Sequence, residues 1–247
     1  MCLCVLLHQK VPGYPVVMAA NREEVYERPS RPPAWTGPEP GAFAGRDALA
    51  GGTWQGVNPY GLMVAVTNRV SGGLDPQRRS RGLLCMDVLR HRSARRALDW
   101  ALDHLRDEPY NPHNLLIVDA RHAFALYYQD GPRVTELQPG LHVLSDTDVN
   151  DPDHPRVERV KDALEGQTWT DWAATRAGLE ELMADHAPGR PAAQQLCRHG
   201  ELAGTVSSSL IALGTDGLQA AHFLFAPGPP CANPCQDLSP LLRAGPP

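Results

Sequence analysis

The chain has 247 residues, of which 42% are hydrophobic and 21% are charged, and its net charge is -5. This composition is typical of a globular protein, and the negative charge argues against general affinity for nucleic acid or anionic membranes. No apolar run approaches the roughly 18 residues that cross a bilayer, and the apolar start is too short for a signal peptide, so we expect a cytoplasmic protein. The excess of arginine over lysine is typical of a GC-rich bacterial genome.

The first third of the chain carries strand patterns. CLCVLLHQ and YPVVMAAN are short apolar runs separated by KVPG, which predicts a hairpin. The proline-rich stretch that follows, RPSRPPAWTGPEPG, is predicted to be a loop. GGTWQGVN and GLMVAVTN then form a second predicted pair of strands.

Helical and strand patterns follow in blocks over the rest of the chain. Two helices are predicted for RGLLCMDVLRH and SARRALDWALDHLRD, the second with Ser93 as its N-cap. Strands return at HNLLIVDA, HAFALYYQ, RVTELQ and LHVLSD, and helical patterns return over residues 154–165, 171–186 and 190–198. Two last strands, SSSLIALG and LQAAHFLF, precede a tail over about 228–247 that is predicted to be irregular.

The order of these blocks determines the predicted fold class. Several strands are almost entirely apolar, so we expect both faces of the sheets to be covered. The regular strand–helix alternation that a doubly wound parallel sheet needs is absent. We therefore predict an α+β fold, a four-layer αββα sandwich of two mostly antiparallel sheets between helical layers, in a single domain over residues 1–247.

The residue after the initiator methionine is a cysteine. If Met1 is removed, Cys2 carries a thiol and a free α-amine on one residue. A cysteine thiolate is a nucleophile with an ordinary pKa of about 8.5, and an α-amine, with a pKa of about 7.7–8.0, is a recognised activating base. The alternative interpretation is that Cys2 is a small hydrophobic residue at the start of a buried strand.

The other cysteines indicate neither a disulfide framework nor a metal site. Six cysteines in a chain of this length are not the pattern of a disulfide scaffold. Cys231 and Cys235 form the spacing CANPC, which has no partner pair and no nearby histidine and fits no standard zinc pattern. We therefore predict no metal ligands and no required cofactor.

Several motifs together resemble one protein family. VMAANREEVYERPSRPPAW, GGTWQGVN, VTNR and SRG lie within residues 1–82, and NPHNLLIVD, GLHVLSD and GTVSSSLIAL extend the similarity thinly toward the last strands. With the Met-Cys start, these motifs resemble the NRDE family, which is named for an Asn-Arg-Asp-Glu motif. The resemblance implies the αββα sandwich of the N-terminal nucleophile hydrolase superfamily, in which that family is placed.

The resemblance also implies three catalytic residues. Cys2 matches the position of the nucleophile. Arg22 follows the second strand, where cysteine amidases of the superfamily place an arginine beside the nucleophile, and a fixed cation there favours the thiolate and the neutral amine. Asn68, which ends a predicted strand, is the candidate oxyanion donor because its amide N–H groups can stabilise a tetrahedral intermediate.

Four further residues are implied in substrate binding. Asn21 or Glu24 would orient the α-amine or a substrate group, and either could equally be a helix or turn cap. Trp54 is expected to be a pocket wall or a core residue. Asp146 stands where related amidases carry an asparagine that serves the oxyanion or the substrate, and an ionised aspartate accepts hydrogen bonds but cannot donate them.

Two functions remain open at this point. The leading prediction is a cysteine-type hydrolase that acts on an amide or related acyl bond of a small molecule. The alternative is a non-catalytic protein that binds haem or acyl-coenzyme A in the same pocket, because animal members of the family are linked to haem trafficking and lipid metabolism. Three departures from the family pattern fit this alternative: Glu23 replaces an aspartate, Asp146 replaces an asparagine, and Val206 stands where relatives usually carry an arginine.

Overall fold

The strands of the protein pair antiparallel throughout the residues that the computed structural model describes, 2–69 and 73–246. In these residues thirteen strands are formed. Their bounds in chain order are β1 Leu3–Val11, β2 Tyr14–Val25, β3 Ser30–Thr36, β4 Ala42–Asp47, β5 Gln55–Val57, β6 Met63–Asn68, β7 His113–Val118, β8 Ala123–Tyr128, β9 Pro132–Leu137, β10 Gly140–Leu144, β11 Ala203–Gly214, β12 Gly217–Ala226 and β13 Gln236–Asp237.

The strands form two sheets of different connectivity. The first sheet has six strands in the order β10-β1-β2-β11-β12-β13, so it brings the start of the chain beside its last third. The second sheet has seven strands in sequential order from β3 to β9. Every residue of β7 and β8 is buried, as expected for strands that are covered on both faces.

Five helices accompany the sheets in the described residues. They are α1 Arg81–Val88, α2 Ala94–Asp107, α3 Pro155–Leu164, α4 Trp172–Met183 and α5 Ser239–Arg243. The predicted N-cap of α2 is confirmed, because the Ser93 side chain accepts a hydrogen bond from the Arg96 backbone N–H. None of the helices in the described ranges has the length and apolar character needed to span a bilayer.

Three apolar clusters separate four layers. One cluster lies between the sheets and includes Leu6 of the first sheet and Leu116 of the second. Another packs the second sheet against α1 and α2, with Leu98 at the contact. The third packs the first sheet against α3 and α4 and includes Val160 and Leu179. This arrangement confirms the predicted αββα sandwich of two antiparallel sheets.

The structure differs from the prediction in three segments. The predicted proline-rich loop contains β3, because an edge strand tolerates prolines that cannot donate to a neighbouring strand. The helix predicted over 190–198 is only a 3-10 turn at Ala192–Gln194. The tail predicted to be irregular contains β13 and α5, and the Phe223 backbone N–H donates to Ser239 Oγ at 3.0 Å to hold it.

Residue 2 and the ends of several strands meet at one edge of the sandwich. The residue before β1, the end of β2, the end of β6 and the first turn of α1 all line one cavity there. Strand β11 reaches the same edge, where its register against β2 shifts between Thr205 and Ser207. A bulge of this kind bends a strand locally.

Candidate active site

Cys2 lies directly before β1 and beside the end of β2. Leu3 pairs with Asn21, and the same antiparallel register extended by one residue places Cys2 opposite Arg22. Both residues line a cavity of about 210 Å³, and the Cys2 thiol is hydrogen-bonded to the backbone of Glu23. The pairing of two strands thus fixes the thiol next to a guanidinium group.

Arg22 is held in place by an aromatic ring and a carboxylate. Its guanidinium lies over the Trp54 ring, 4.4 Å from the ring centroid, and 3.9 Å from the Glu24 carboxylate. A glycine makes room for this ring, since a Cβ at Gly45 of β4 would lie only 2.5 Å from Trp54. The cation is therefore positioned before any substrate arrives.

Burial dominates the protonation of the Cys2 thiol. It raises the pKa of Cys2 above the ordinary value, while the hydrogen bond to the Glu23 backbone and the charge of Arg22 act in the opposite direction. Burial also lowers the pKa of Arg22, although a guanidinium stays charged at neutral pH. The thiol is accordingly protonated near neutrality and needs a base to become a nucleophile.

A second cavity of about 460 Å³ adjoins the first. Glu23, Glu24 and Asn68 line both, so the two cavities form one cleft with Cys2 at its narrow end. Asn68 ends β6 at the junction, where its side-chain amide can serve a group bound next to Cys2. Five of the seven residues predicted from the sequence line this cleft: Cys2, Arg22, Glu24, Trp54 and Asn68.

Asn21 does not line the cleft, contrary to the substrate-binding role implied for it. It is fully buried, and its Nδ2 donates to the backbone carbonyls of Met183 and Leu196, both at 2.9 Å. Alternation along β2 points its side chain away from the face that carries Arg22. Its amide ties β2 to the end of α4 and to the segment that precedes β11.

Asp146 follows Ser145, whose Oγ donates to the Cys2 carbonyl at 3.3 Å, but the Asp146 carboxylate has another partner. Its Oδ1 accepts a hydrogen bond from His154 Nε2 at 2.8 Å, while His154 Nδ1 accepts the Arg156 backbone N–H at 3.2 Å. Burial opposes ionisation, yet the His154 hydrogen bond lowers the pKa of Asp146 below its ordinary value. Asp146 does not line either of these two cavities.

The other two departures from the family pattern also have a structural setting. The Glu23 carboxylate forms a buried ion pair with Arg156 of α3, and Arg156 donates to the Leu196 carbonyl at 3.0 Å. Val206 lies at the bulge of β11 that faces the end of β2. The longer side chain of Glu23 therefore supports the helical layer on the outer face of the first sheet.

Besides Glu23, three charged residues that line the narrow cavity lie outside the predicted site: Arg28, Asp47 and Arg81. The Arg28 guanidinium lies 2.7 Å from the Asp47 carboxylate, and Arg81 donates to the Pro112 carbonyl at 3.1 Å. The SRG motif, which contains Arg81, was the sequence feature that could have indicated this residue.

Gly82 of the same motif packs against Gly52 through the backbone. A Cβ added to Gly52 would lie 2.2 Å from the Gly82 carbonyl carbon, so this contact requires a glycine at position 52.

The chain is similar to known proteins both in sequence and in fold. The profile of the Transport and Golgi organisation 2 family matches residues 1–213. The human Transport and Golgi organization protein 2 homolog is 38% identical over 80 residues, and the mouse homolog is 36% identical over 80 residues. This segment is 31% of the chain and 29% of each relative, so the alignment spans less than a third of their length.

Two solved structures share the fold. A Caenorhabditis elegans N-acylethanolamine-hydrolyzing acid amidase ortholog matches with a TM-score of 0.58 and 15% identity, over 85% of this chain and 92% of that chain. Conjugated bile acid hydrolase from Clostridium perfringens matches with a TM-score of 0.51 and 12% identity, over 96% of each chain. At these identities the likeness shows the fold alone, which is similar to that of N-terminal nucleophile hydrolases. The family match, which covers most of the chain, confirms the resemblance found in its motifs: the chain belongs to the Transport and Golgi organisation 2 family.

Proposed function

We propose that this chain is an N-terminal cysteine hydrolase that cleaves an amide or related acyl bond of a small molecule. The observation that carries the proposal is the position of Cys2, opposite Arg22 and at the narrow end of a cleft. The likeness of its fold to that of an amidase and a bile acid hydrolase supports the reaction class. A cytoplasmic location and a small-molecule partner, rather than nucleic acid, belong to the same proposal.

The proposed reaction begins when removal of Met1, which lies outside the described residues, frees the α-amine of Cys2. The neutral amine takes the thiol proton, and the thiolate attacks the acyl carbon to give a tetrahedral oxyanion. Asn68 donates a hydrogen bond to that oxyanion. The C–N bond then breaks, the α-ammonium returns its proton to the leaving amine, and a thioester remains on Cys2. Water that loses a proton to the α-amine hydrolyses the thioester and restores the thiol.

Arg22 has two effects in this scheme. Its positive charge stabilises the thiolate, and it disfavours the charged form of the nearby α-amine. The first effect opposes the influence of burial, which raises the pKa of the Cys2 thiol. Trp54 and Glu24 keep the guanidinium in place, so its favourable effect needs no rearrangement during the reaction.

The cleft also suggests a class of substrate. Arg81 lines the narrow cavity and forms no ion pair with the residues that the structure describes, whereas Arg28 is paired with Asp47. A substrate with a carboxylate or another anionic group near the scissile bond would supply the missing partner. The larger cavity, about 460 Å³, has room for the rest of a small acylated molecule.

The intact mass of the purified protein, before and after a small β-lactone that acylates thiols, tests this proposal. We expect loss of Met1 and a single rapid adduct that maps to Cys2. The adduct should disappear in Cys2→Ala, with an unchanged circular dichroism spectrum, and persist in the matched control Cys235→Ser. A retained Met1, or a Cys2 that reacts no faster than the exposed Cys231, would count against a hydrolase.

The second candidate is a non-catalytic carrier of haem or acyl-coenzyme A. The raised pKa of the Cys2 thiol favours it, because a partly buried, neutral thiol is a poor nucleophile. A carrier should show a Soret shift on haem titration that is lost in Cys2→Ala, or saturable acyl-coenzyme A binding without turnover. Covalent labelling restricted to Cys2, with no such binding, would favour the hydrolase.

A further inference from the structure

Four side chains of the types that bind metals meet beside the larger cavity. They are His186, Cys197 and His199, from the segment before β11, and Cys231, from the segment after β12. One ligand atom from each lies within 4.8 Å of the others. The Cys197 and Cys231 sulfurs are 3.7 Å apart, and His199 Nε2 lies 3.3 Å from the Cys231 sulfur and 3.8 Å from the Cys197 sulfur. The sequence pattern does not reveal this group, because Cys231 is 32 residues or more from the other three side chains and its near neighbour Cys235 gives a spacing that fits no zinc motif.

These separations are those of a tetrahedral metal site. Zinc binds sulfur at about 2.3 Å and nitrogen at about 2.0 Å, so the edges of a regular tetrahedron are about 3.8 Å between sulfurs and about 3.5 Å between sulfur and nitrogen. The three separations among Cys197, His199 and Cys231 lie within a few tenths of an ångström of these values. The His186 ligand atom lies within 4.8 Å of the other three, so this side chain would move inward by about 1 Å to complete the tetrahedron. Two cysteines with two histidines are also a ligand set that zinc adopts in structural sites.

The surrounding backbone orients the ligands. His186 Nδ1 is 3.0 Å from the Cys197 carbonyl oxygen, so that nitrogen carries the proton and Nε2 keeps its lone pair for a metal. The backbone N–H of Cys197 donates to the Asp185 carbonyl at 2.9 Å, which fixes the segment that carries Cys197 next to the segment that carries His186. Cys197 is buried, while His199 and Cys231 are exposed and give a metal ion access.

A disulfide accounts for less of this geometry. The two sulfurs are 3.7 Å apart, compared with about 2.05 Å in a disulfide bond. A disulfide would use two of the four groups and leave His199 Nε2, 3.3 Å from the Cys231 sulfur, without a role. A metal ion uses all four.

We propose that His186, Cys197, His199 and Cys231 bind a zinc ion in a closed, four-ligand structural site. Each thiol releases its proton to solvent as it binds the metal, and each imidazole binds in its neutral form. With four protein ligands, no coordination position is left for a substrate, so the ion is structural rather than catalytic. The inference does not depend on whether the cleft is a hydrolase site.

The ion would join two segments that no strand pairing connects. Cys231 lies in the connection between β12 and β13, whereas Cys197 and His199 precede β11. His199 lines the larger cavity together with Arg198 and Gly200. The metal would therefore pin the outer wall of the cleft to the C-terminal segment.

Metal content and cobalt substitution test the proposal on the full chain. Protein purified in reducing buffer without added metal or chelator should retain one equivalent of zinc by mass spectrometry of the metal. Protein reconstituted with Co²⁺ should show the intense visible bands of a tetrahedral site and a near-ultraviolet thiolate charge-transfer band. Cys231→Ser and His199→Ala, both changes of exposed side chains, should weaken zinc binding at least about tenfold, and the matched control Cys235→Ser should not.

Three results would overturn the proposal. One is wild-type protein that retains no zinc and takes up Co²⁺ only with the weak spectrum of an octahedral ion. Another is zinc affinity that is the same in Cys231→Ser, His199→Ala and the wild type. The third is a peptide map of protein kept in reducing buffer that shows a Cys197–Cys231 disulfide. The wild-type cobalt spectrum decides the question even if a variant fails to fold.

Discussion

The two faces of β2 have different roles over residues 21–24, where successive side chains point to opposite faces. On the outer face, Asn21 donates to the carbonyls at the end of α4 and before β11. The Glu23 carboxylate pairs with Arg156 of α3, although Glu23 also borders the cleft. On the inner face, Arg22 and Glu24 line the cleft with Cys2. The pleat of β2 therefore divides the motif of residues 21–24 into two halves. Asn21 and Glu23 form the supporting half, and Arg22 and Glu24 form the reactive half.

The largest effect is expected on the supporting face. Glu23→Gln leaves the Arg156 guanidinium buried without its counter-charge, which should lower the free energy of unfolding by about 3–5 kcal/mol. Urea denaturation at neutral pH measures this loss. The double variant Glu23→Gln with Arg156→Met should lose less than the single variant, because no unpaired charge remains. A loss below about 1 kcal/mol in the single variant would contradict the assignment of Glu23 to a supporting role.

Arg22→Met should mainly change reactivity. Removing the cation raises the pKa of the Cys2 thiol further above its ordinary value, so the thiolate fraction at neutral pH falls. The labelling rate of Cys2 at neutral pH should drop about tenfold for each unit by which its pH profile moves to higher pH. The matched control is Arg28→Met, which removes a cleft arginine that is paired with Asp47. If the pH profiles of Arg22→Met and the wild type coincide, Arg22 does not activate the Cys2 thiol.

The smallest effect is expected at Asp146, which does not line either cavity of the cleft. Asp146→Asn should cost about 1 kcal/mol at neutral pH, because the amide oxygen still accepts from His154. The native pKa of Asp146 lies below its ordinary 3.8, so its carboxylate stabilises the fold above that pH and loses the effect as pH falls through the native pKa.

The difference in unfolding free energy between Asp146→Asn and the wild type should therefore shrink below about pH 4, as measured by denaturation at several pH values. The labelling rate of Cys2 should stay the same in the variant. A clear change in that rate would place Asp146 in the reactive group after all.

The fold was predictable because its signals are local. Apolar runs and turn residues located most strands, and the 3.6-residue period located α2 with its Ser93 cap. β3 could not be predicted in this way, because its prolines are typical of loops. In the structure β3 is an edge strand that pairs only with β4, so its other edge needs no backbone donors.

The site was predictable only in part. The resemblance identified Cys2 and Arg22, which line the cleft. It did not indicate that the Asn21 side chain lies on the opposite face of β2 from Arg22. Both faces of β2 are buried over Val16–Ala20, so an alternation of polar and apolar residues is absent and the sequence does not tell inside from outside. The Cys197–Cys231 contact joins residues 34 positions apart, which no local pattern encodes.

One backbone oxygen connects the features described above. The Leu196 carbonyl accepts hydrogen bonds from both Asn21 and Arg156, and the next residue is Cys197. An ion bound at Cys197 would order this carbonyl, and a ligand bound beside Arg22 would order β2. Because the two are hydrogen-bonded through Asn21, the conformational entropy lost when one binds would in part not be lost again when the other binds. Thermodynamic linkage then requires reciprocity: whatever factor zinc adds to the affinity of the cleft for a reversible ligand, that ligand adds to the affinity for zinc.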